Sequence, residues 1–255
     1  MAVRPLVLLS NDDGVGAPGI LMLRDALLRF AEVVVVAPET EQSANSHALT
    51  LARPLRHREL DVGVHALDGT PADCIYVALF ERRFLPRRPD LVVSGLNNGV
   101  NLGTDVYYSG TVAAAREGAL RGVPSIAFSL DRGGDRVAAT RIASTMAERL
   151  VTATRPEGTP VLLNVNFPKG EIGGIRATRL GRRFYDDVVE VRRDPRGREY
   201  FWVGGPGTHH DPVEGSDTDA IDAGCVSVTP LLLETTSAEH LGIAAWVAAT
   251  ELEKT

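Results

Sequence analysis

Cysteine is almost missing from this chain. Cys74 and Cys225 are the only two. They form no ligand spacing, and a disulfide framework is not expected. No uninterrupted apolar run approaches the ~18 residues that a membrane-crossing helix needs. No charged-then-apolar leader opens the chain, because Met1-Ala-Val-Arg-Pro5 runs straight into a strand. A basic excess is also lacking: 27 Lys and Arg face 33 Asp and Glu, a net charge of −6. That balance argues against a nucleic-acid polymer as partner and leaves a single nucleotide open. Internal repeats, low-complexity tracts and a Walker motif are absent from the sequence. The expectation is a cytoplasmic protein with no membrane partner. What is present is ordinary globular material: 255 residues, 44% of them hydrophobic. This suits one large α/β domain, or one domain with a small appendage.

The stretch that organises the rest is Leu6-Val-Leu-Leu-Ser-Asn-Asp-Asp-Gly-Val-Gly-Ala-Pro-Gly19. An apolar strand ends in two adjacent carboxylates, Asp12 and Asp13, and glycines and a proline lead into an amphipathic helix. Adjacent carboxylates repel, and burying them unpaired is costly. A strand end that carries them calls for something positive, most simply a divalent cation. The same stretch has a competing reading. Gly14-Val-Gly-Ala-Pro-Gly19 matches the G-x-G-x-x-G dinucleotide fingerprint, and Glu39 stands where a ribose-binding acid belongs. Yet a pyrophosphate needs a helix N-terminus free of negative charge, and Asp12 and Asp13 immediately precede the glycines. A metal between carboxylates and phosphate makes the two compatible. A purely structural acidic turn is the third reading.

Taken in order, the pattern predicts a doubly wound, mostly parallel, Rossmann-like sheet with its site at the carboxyl ends of the strands. Strands are expected at Pro5–Ser10, Glu32–Ala37, Leu49–His57, Val62–Leu67, Asp90–Ser94, Ser125–Ser129, Pro160–Asn166 and Val226–Pro230. Helices are expected from Pro18, where Ile20, Leu23, Leu27 and Phe30 recur at helical spacing, and from Pro71 to about Phe80, capped by Thr70. Further helices are read behind Tyr107-Tyr-Ser-Gly-Thr111, over Arg136–Thr154, and from about Ala238. The domain division is a core over 1–170 and a C-terminal segment over 171–255. In that segment Arg176–Val203, with Asp194-Pro-Arg-Gly197 as its turn, reads as a long hairpin that packs on another chain.

Three polar loops leave strand ends on the same edge. The first carries Asp12 and Asp13. The second, Pro38–Thr50, offers Ser43, Asn45, Ser46 and His47, against a plain solvated loop. The third, Gly95–Asp105, holds three asparagines and three glycines within nine residues. Asparagine oxygens coordinate hard metals, and asparagine N–H groups donate to phosphate. Ser109 and Thr111 cap the following helix and present hydroxyls, while the backbone N–H groups of Gly110 and Thr111 would face an anion. His209 and His210 read as exposed loop residues rather than ligands. Tyr107 and Tyr108 suit either base stacking or packing.

In order and spacing, six blocks resemble the SurE family, stationary-phase survival proteins that act as metal-dependent 5′-nucleotidases. They are Ser10-Asn-Asp-Asp-Gly14, the Ser43 loop, Gly69-Thr-Pro-Ala-Asp-Cys74, Ser94-Gly-Leu-Asn97 with Asn101, Tyr108-Ser-Gly-Thr111 and Ser227-Val-Thr-Pro230. The resemblance covers nearly the whole chain. It implies a Rossmann-like core, with a C-terminal hairpin and arm exchanged between the subunits of a homodimer, often paired into a homotetramer. It implies one divalent ion per subunit, Mg2+ or Mn2+, held by Asp12, Asp13, Ser43 and Asn97. Asn101, Ser109, Gly110 and Thr111 would hold the phosphate. One departure is visible: the family often has Ser-Gly where this chain has Ser43-Ala44, and an alanine fits there at negative φ.

The expected reaction is hydrolysis of a nucleoside 5′-monophosphate to nucleoside and inorganic phosphate. Asp12 and Asp13 are the catalytic candidates, and 3′-monophosphates and short polyphosphate are further substrates that the resemblance implies. The attacking group is a water or a carboxylate, with water favoured because both carboxylates are assigned to the metal. No general acid stands out, with His47 or solvent as candidates. The readings from other classes are an NAD(P)-binding oxidoreductase, resting on the glycine fingerprint, and a nucleotide or metal sensor without turnover.

Overall fold

β1 (Leu6–Ser10) is apolar on both sides and is buried along its whole length. That pattern places it inside a sheet covered on both faces. The computed structural model describes residues 4–154, 161–186, 188–204 and 207–250. After β1 come α1 (Pro18–Leu27), β2 (Glu32–Pro38), β3 (His57–Asp61), β4 (Val64–Leu67) and α2 (Pro71–Phe80). β5 (Leu91–Asn98), α3 (Gly110–Leu120), β6 (Ser125–Leu130), α4 (Arg136–Thr152) and β7 (Leu162–Phe167) complete the alternating part. The remainder is β8 (Gly174–Ala177), β9 (Arg183–Tyr185), β10 (Val189–Arg193), β11 (Glu199–Val203), β12 (Thr208–His210), α5 (Asp217–Asp222), β13 (Cys225–Pro230) and α6 (Leu241–Ala248).

The main sheet has nine strands in the order β3-β4-β2-β1-β5-β6-β7-β13-β8. The six from β4 to β7 are parallel, and β3 and β13 are antiparallel to their neighbours β4 and β7. This is the expected mostly parallel α/β sheet. Strand order reverses between β1 and β5, which leaves a crevice at their carboxyl ends. α1 and α4 cover one face, with Leu23, Leu27, Ala139 and Ala143 in its core. α2 and α3 cover the other with Ile75, Ala78, Ala114 and Ala115. The small residues of α3 bring it close to the sheet: a Cβ added at Gly118 would lie 2.7 Å from both Ser125 Oγ and Val92 Cγ2. Thr70 caps α2 as expected, accepting from the Asp73 N–H while Asp73 accepts from the Thr70 N–H.

Two expected elements differ. Leu49–His57 is not a strand; only His57 belongs to one, β3. Pro54 cannot donate to a ladder. The Thr50 and Arg56 N–H groups donate instead to the Asp73 and Asp68 carboxylates. Arg176–Val203 is not one long hairpin either. β8 joins the main sheet beside β13, and β9 pairs with β12. Only β10 and β11 form the hairpin, closed at Asp194–Gly197 by the Gly197 N–H donating to the Asp194 carbonyl. Of the strand expected at Pro160–Asn166, residue 160 lies outside the described residues. The tail of the expected C-terminal helix beyond 250 does too.

Both hairpin strands are exposed on every residue, and α6 buries none of its own. Asp217, at the start of α5, ties the loop after β5 to the segment between β8 and β9. Its buried carboxylate accepts from the backbone N–H groups of Gly103, Gly181 and Thr218.

Candidate active site

The crevice at the β1/β5 reversal opens into a cleft of about 900 Å³. Asp12, Asp13, Ser43, Asn97, Asn101 and Ser109 all line it. The three polar loops therefore converge, as their shared edge predicts. Gly110 and Thr111 lie immediately behind. A Cβ added at Gly110 would sit 2.9 Å from Asp12 Cβ and 3.1 Å from Asp12 Oδ2. Only a glycine lets the start of α3 come this near the carboxylate. The Thr111 hydroxyl donates to Asp12 Oδ1. That hydroxyl is spent on the carboxylate, toward which the Thr111 N–H also points.

Asp12 is buried, and burial pushes its carboxyl up to about 6. The Thr111 hydroxyl opposes this shift, and the neighbouring Asp13 charge adds to it. Burial also raises Asp13, opposed by the Asn98 N–H, which donates to Asp13 Oδ2 at 3.2 Å. The charged pair is thus unfavourable without a cation beside it. Among the described residues no three His, Cys, Asp or Glu could hold an ion by themselves. A cation at Asp12 and Asp13 needs neutral oxygens as well. Asn97 donates its Nδ2 to the Gly99 carbonyl at 2.7 Å, which orients the amide and leaves Oδ1 without that duty. Ser43 Oγ donates to Glu41 Oε1 at 2.6 Å and keeps its lone pairs. An all-oxygen set of this kind suits a hard cation such as Mg2+ or Mn2+.

Asn101 is fixed more firmly than its loop position suggests. Its N–H donates to Asn166 Oδ1 at 2.7 Å, and its Nδ2 donates to Ser129 Oγ at 2.7 Å. Its carbonyl accepts from the side chains of Asn164 and Asn166. The asparagines that end β7 therefore hold Asn101 in place. Ser109 Oγ accepts from the Val112 N–H as a helix cap and still has its own proton to donate.

The Ser43 loop departs from expectation at one residue. Ala44 has φ of +57° and Ser46 of +52°. Negative φ is not what Ala44 adopts, so an L side chain sits in the left-handed region, at a cost of about 1–2 kcal/mol. Ser46 Oγ donates to the Tyr107 carbonyl at 2.6 Å, and its N–H donates to the Tyr108 carbonyl at 3.0 Å. These bonds hold the loop against the start of α3. Ala44→Gly is expected to raise stability by about 0.5–1 kcal/mol, net of the freedom that glycine gains in the unfolded chain. Denaturant unfolding of the two proteins checks it.

His47 does not reach the cleft. Its Nε2 contacts Glu117 Oε2 at 2.9 Å, and Glu117 Oε1 accepts from Arg121 Nε at 2.7 Å. A buried carboxylate on α3 thus anchors the Ser43 loop through His47. His209 stacks on Phe184, and His210 contacts Asp222 at 2.6 Å, both away from the cleft. Gly14 and Gly16 do not line the cleft. Gly14 lies against the Thr40 backbone, and Gly19 abuts Leu96 of β5. Of the fingerprint glycines, Gly19 serves helix–strand packing.

Several lining residues carry no local signal in the sequence. Asp105 accepts from the Tyr185 hydroxyl and from Arg183 Nη1, the latter at 2.6 Å. Tyr185 and the hairpin residues Val188, Val189, Val203 and Gly204 build the wall opposite Asp12. Arg132 completes the rim. These positions are distant in sequence and meet only through the fold.

The family model described as "Survival protein SurE" matches residues 7–187. A curated relative from Sorangium cellulosum, "5'-nucleotidase SurE", is 60% identical over 250 residues, covering 97% of each chain. One of the same name from Deinococcus radiodurans is 45% identical over 258 residues, covering 94% of this chain and 92% of that relative. A solved structure, the SurE protein from Aquifex aeolicus, superposes with a TM-score of 0.83 at 38% identity. It covers 96% of this chain and 100% of that one. With a cleft lined from four of the six blocks and relatives this similar over nearly its full length, this chain belongs to the SurE family.

Proposed function

We infer that this chain is a 5′-nucleotidase, a phosphoric monoester hydrolase that releases inorganic phosphate from nucleoside 5′-monophosphates. One observation carries the reading. Two adjacent carboxylates, one of them deeply buried, stand at the sheet's reversal point with the N-terminus of α3 pressed against them. Relatives at up to 60% identity bear the name of that activity.

In this reading Asp12, Asp13, Ser43 and Asn97 hold one Mg2+ or Mn2+ ion. When bound, it supplies charge neutralisation at the phosphoryl oxygens and makes water more acidic. The Ser109 hydroxyl, the Gly110 and Thr111 N–H groups and the Asn101 amide bind the remaining phosphoryl oxygens as fixed donors. Asp12 is oriented for its role by the Thr111 hydroxyl. Water attacks phosphorus, since both carboxylates are engaged elsewhere. The leaving alkoxide takes its proton from solvent, since His47 is committed to Glu117. The wall of Tyr185, Val188, Val189 and Val203 receives the nucleoside.

We also propose that 1–170 forms the catalytic core. Residues 171–255 then supply an arm that a second copy covers, giving a homodimer or a dimer of dimers. The exposed Phe201 and Trp202 of the hairpin and Ile243 and Trp246 of α6 support this, being large apolar side chains left in water. No helix among the described residues is long and apolar enough to cross a membrane. Two buried, unpaired cysteines suit a reducing compartment, the cytoplasm.

The test is a substrate panel of 5′- and 3′-mononucleotides, short polyphosphate and p-nitrophenyl phosphate, each with magnesium or manganese. Phosphate release from the 5′-mononucleotides is the expected result. Stabilisation by nucleotide without release would favour a sensor. Tight NAD(P) binding in metal-free buffer would favour an oxidoreductase.

A further inference from the structure

The cleft is lined by four carboxylates, Asp12, Asp13, Glu41 and Asp105. Asp105 is neutralised by Arg183 and bonded by Tyr185. A divalent cation would offset two of the remaining three. A phosphomonoester dianion entering such a cleft still meets net negative charge, and the neutral donors at the start of α3 do not offset it. The cleft has one cationic side chain among its described lining residues, Arg132, in the loop between β6 and α4.

Arg132 is placed where that charge is needed. It follows β6, so it emerges on the same strand-end edge as Asp12 and Asn97. Its Nε lies 3.9 Å from where a Cβ on Gly99 would stand, and the Asn97 Nδ2 lies 3.9 Å from that same point. The absence of a side chain at Gly99 leaves open the space that the guanidinium borders. Arg183 is tied to the Asp105 carboxylate, whereas among the described residues Arg132 makes no hydrogen bond and no ion pair. A guanidinium carries five donors in a planar fork and favours two oxygens of one phosphate.

We propose that Arg132 binds the substrate's phosphoryl group, as the cationic contact that complements the ion at Asp12 and Asp13. The inference rests on the phosphatase reading of the cleft, and it adds a phosphate-binding residue from a loop outside the six family blocks. A bidentate contact to a dianion predicts about a tenfold change in affinity on removal.

The experiment compares wild type with Arg132→Ala and Arg132→Lys at saturating metal. It measures KM and kcat for a nucleoside 5′-monophosphate, and inhibition by inorganic phosphate and by the unphosphorylated nucleoside. Half-saturation by the metal and thermal midpoints are measured alongside. In Arg132→Ala, KM and the phosphate inhibition constant are expected to rise about tenfold, with the nucleoside constant, metal half-saturation and midpoint unchanged. Arg132→Lys should fall between, and free guanidinium should recover part of the loss. An unchanged phosphate constant with an active wild type overturns the proposal. So does a shift confined to metal half-saturation, which would make Arg132 only a modulator of Asp13. Equal losses for phosphate and nucleoside also overturn it. A wild type that releases no phosphate from any substrate refutes the phosphatase reading instead.

Discussion

Asp12→Asn is expected to lower metal-dependent phosphate release by about a thousandfold, even with saturating manganese. The substitution keeps size, and it keeps an oxygen for the Thr111 hydroxyl to donate to. What it removes is the negative charge nearest the start of α3. The same change is expected to stabilise the metal-free protein, by on the order of 1–3 kcal/mol at pH 7. Burial raises the Asp12 carboxyl from 3.8 in the unfolded chain to about 6 in the native one. The native state therefore holds the proton more tightly. The stability contributed by the neutral form is complete below about pH 3.8 and is lost as pH rises through about 6. An asparagine carries no charge to bury at any pH. Activity and stability moving in opposite directions is the signature of a side chain kept for chemistry rather than for the fold. Turnover and metal-free thermal unfolding measured on one preparation check both parts. Near-normal turnover would sink the electrostatic role of Asp12.

Gly19→Ala should have the largest effect on folding. Gly19 is the last glycine of the fingerprint and lies in the first turn of α1. A Cβ there would fall within the van der Waals shell of the Leu96 carbonyl oxygen and 3.1 Å from its carbon. Both obstacles are backbone, and Leu96 itself is buried in the core beneath α1. Relief requires the helix to move off β5, which opens the Ile20, Leu23 and Leu27 contacts. A loss of about 3 kcal/mol or more follows, near 10 °C in the thermal midpoint for a chain of this size. A dinucleotide role for this glycine predicts a different result, with stability retained and only NAD(P) affinity lost.

The sheet was legible because its strands are short apolar runs that each break into polar residues. Asp12, Asn97 and Ser109 all follow such breaks, so a parallel topology alone brings them to one edge. The glycine motif was ambiguous for a physical reason. Close helix–strand approach and close phosphate approach both require a missing Cβ, and only the position of Leu96 separates them. The left-handed φ at Ala44 was hidden because alanine does not advertise it. Leu49–His57 misled because its apolar residues outweigh one proline. Its Thr50 and Arg56 N–H groups go instead to the side-chain carboxylates of Asp73 and Asp68, which lie later in the chain. Arg132, Asp105 and Tyr185 lie in three separate segments, and nothing local marks them as neighbours.

On the proposed reading, Asp12 and Asp13 hold a divalent cation on which phosphate release depends. The most direct measurement is phosphate release from a nucleoside 5′-monophosphate by wild type and Asp13→Asn. Each would be stripped with EDTA and then titrated with magnesium or manganese. The expected result is no release by the stripped wild type, recovery on adding either ion, and little or no recovery in the variant. Release that persists in EDTA, or a variant that recovers at the wild-type metal concentration, would contradict it.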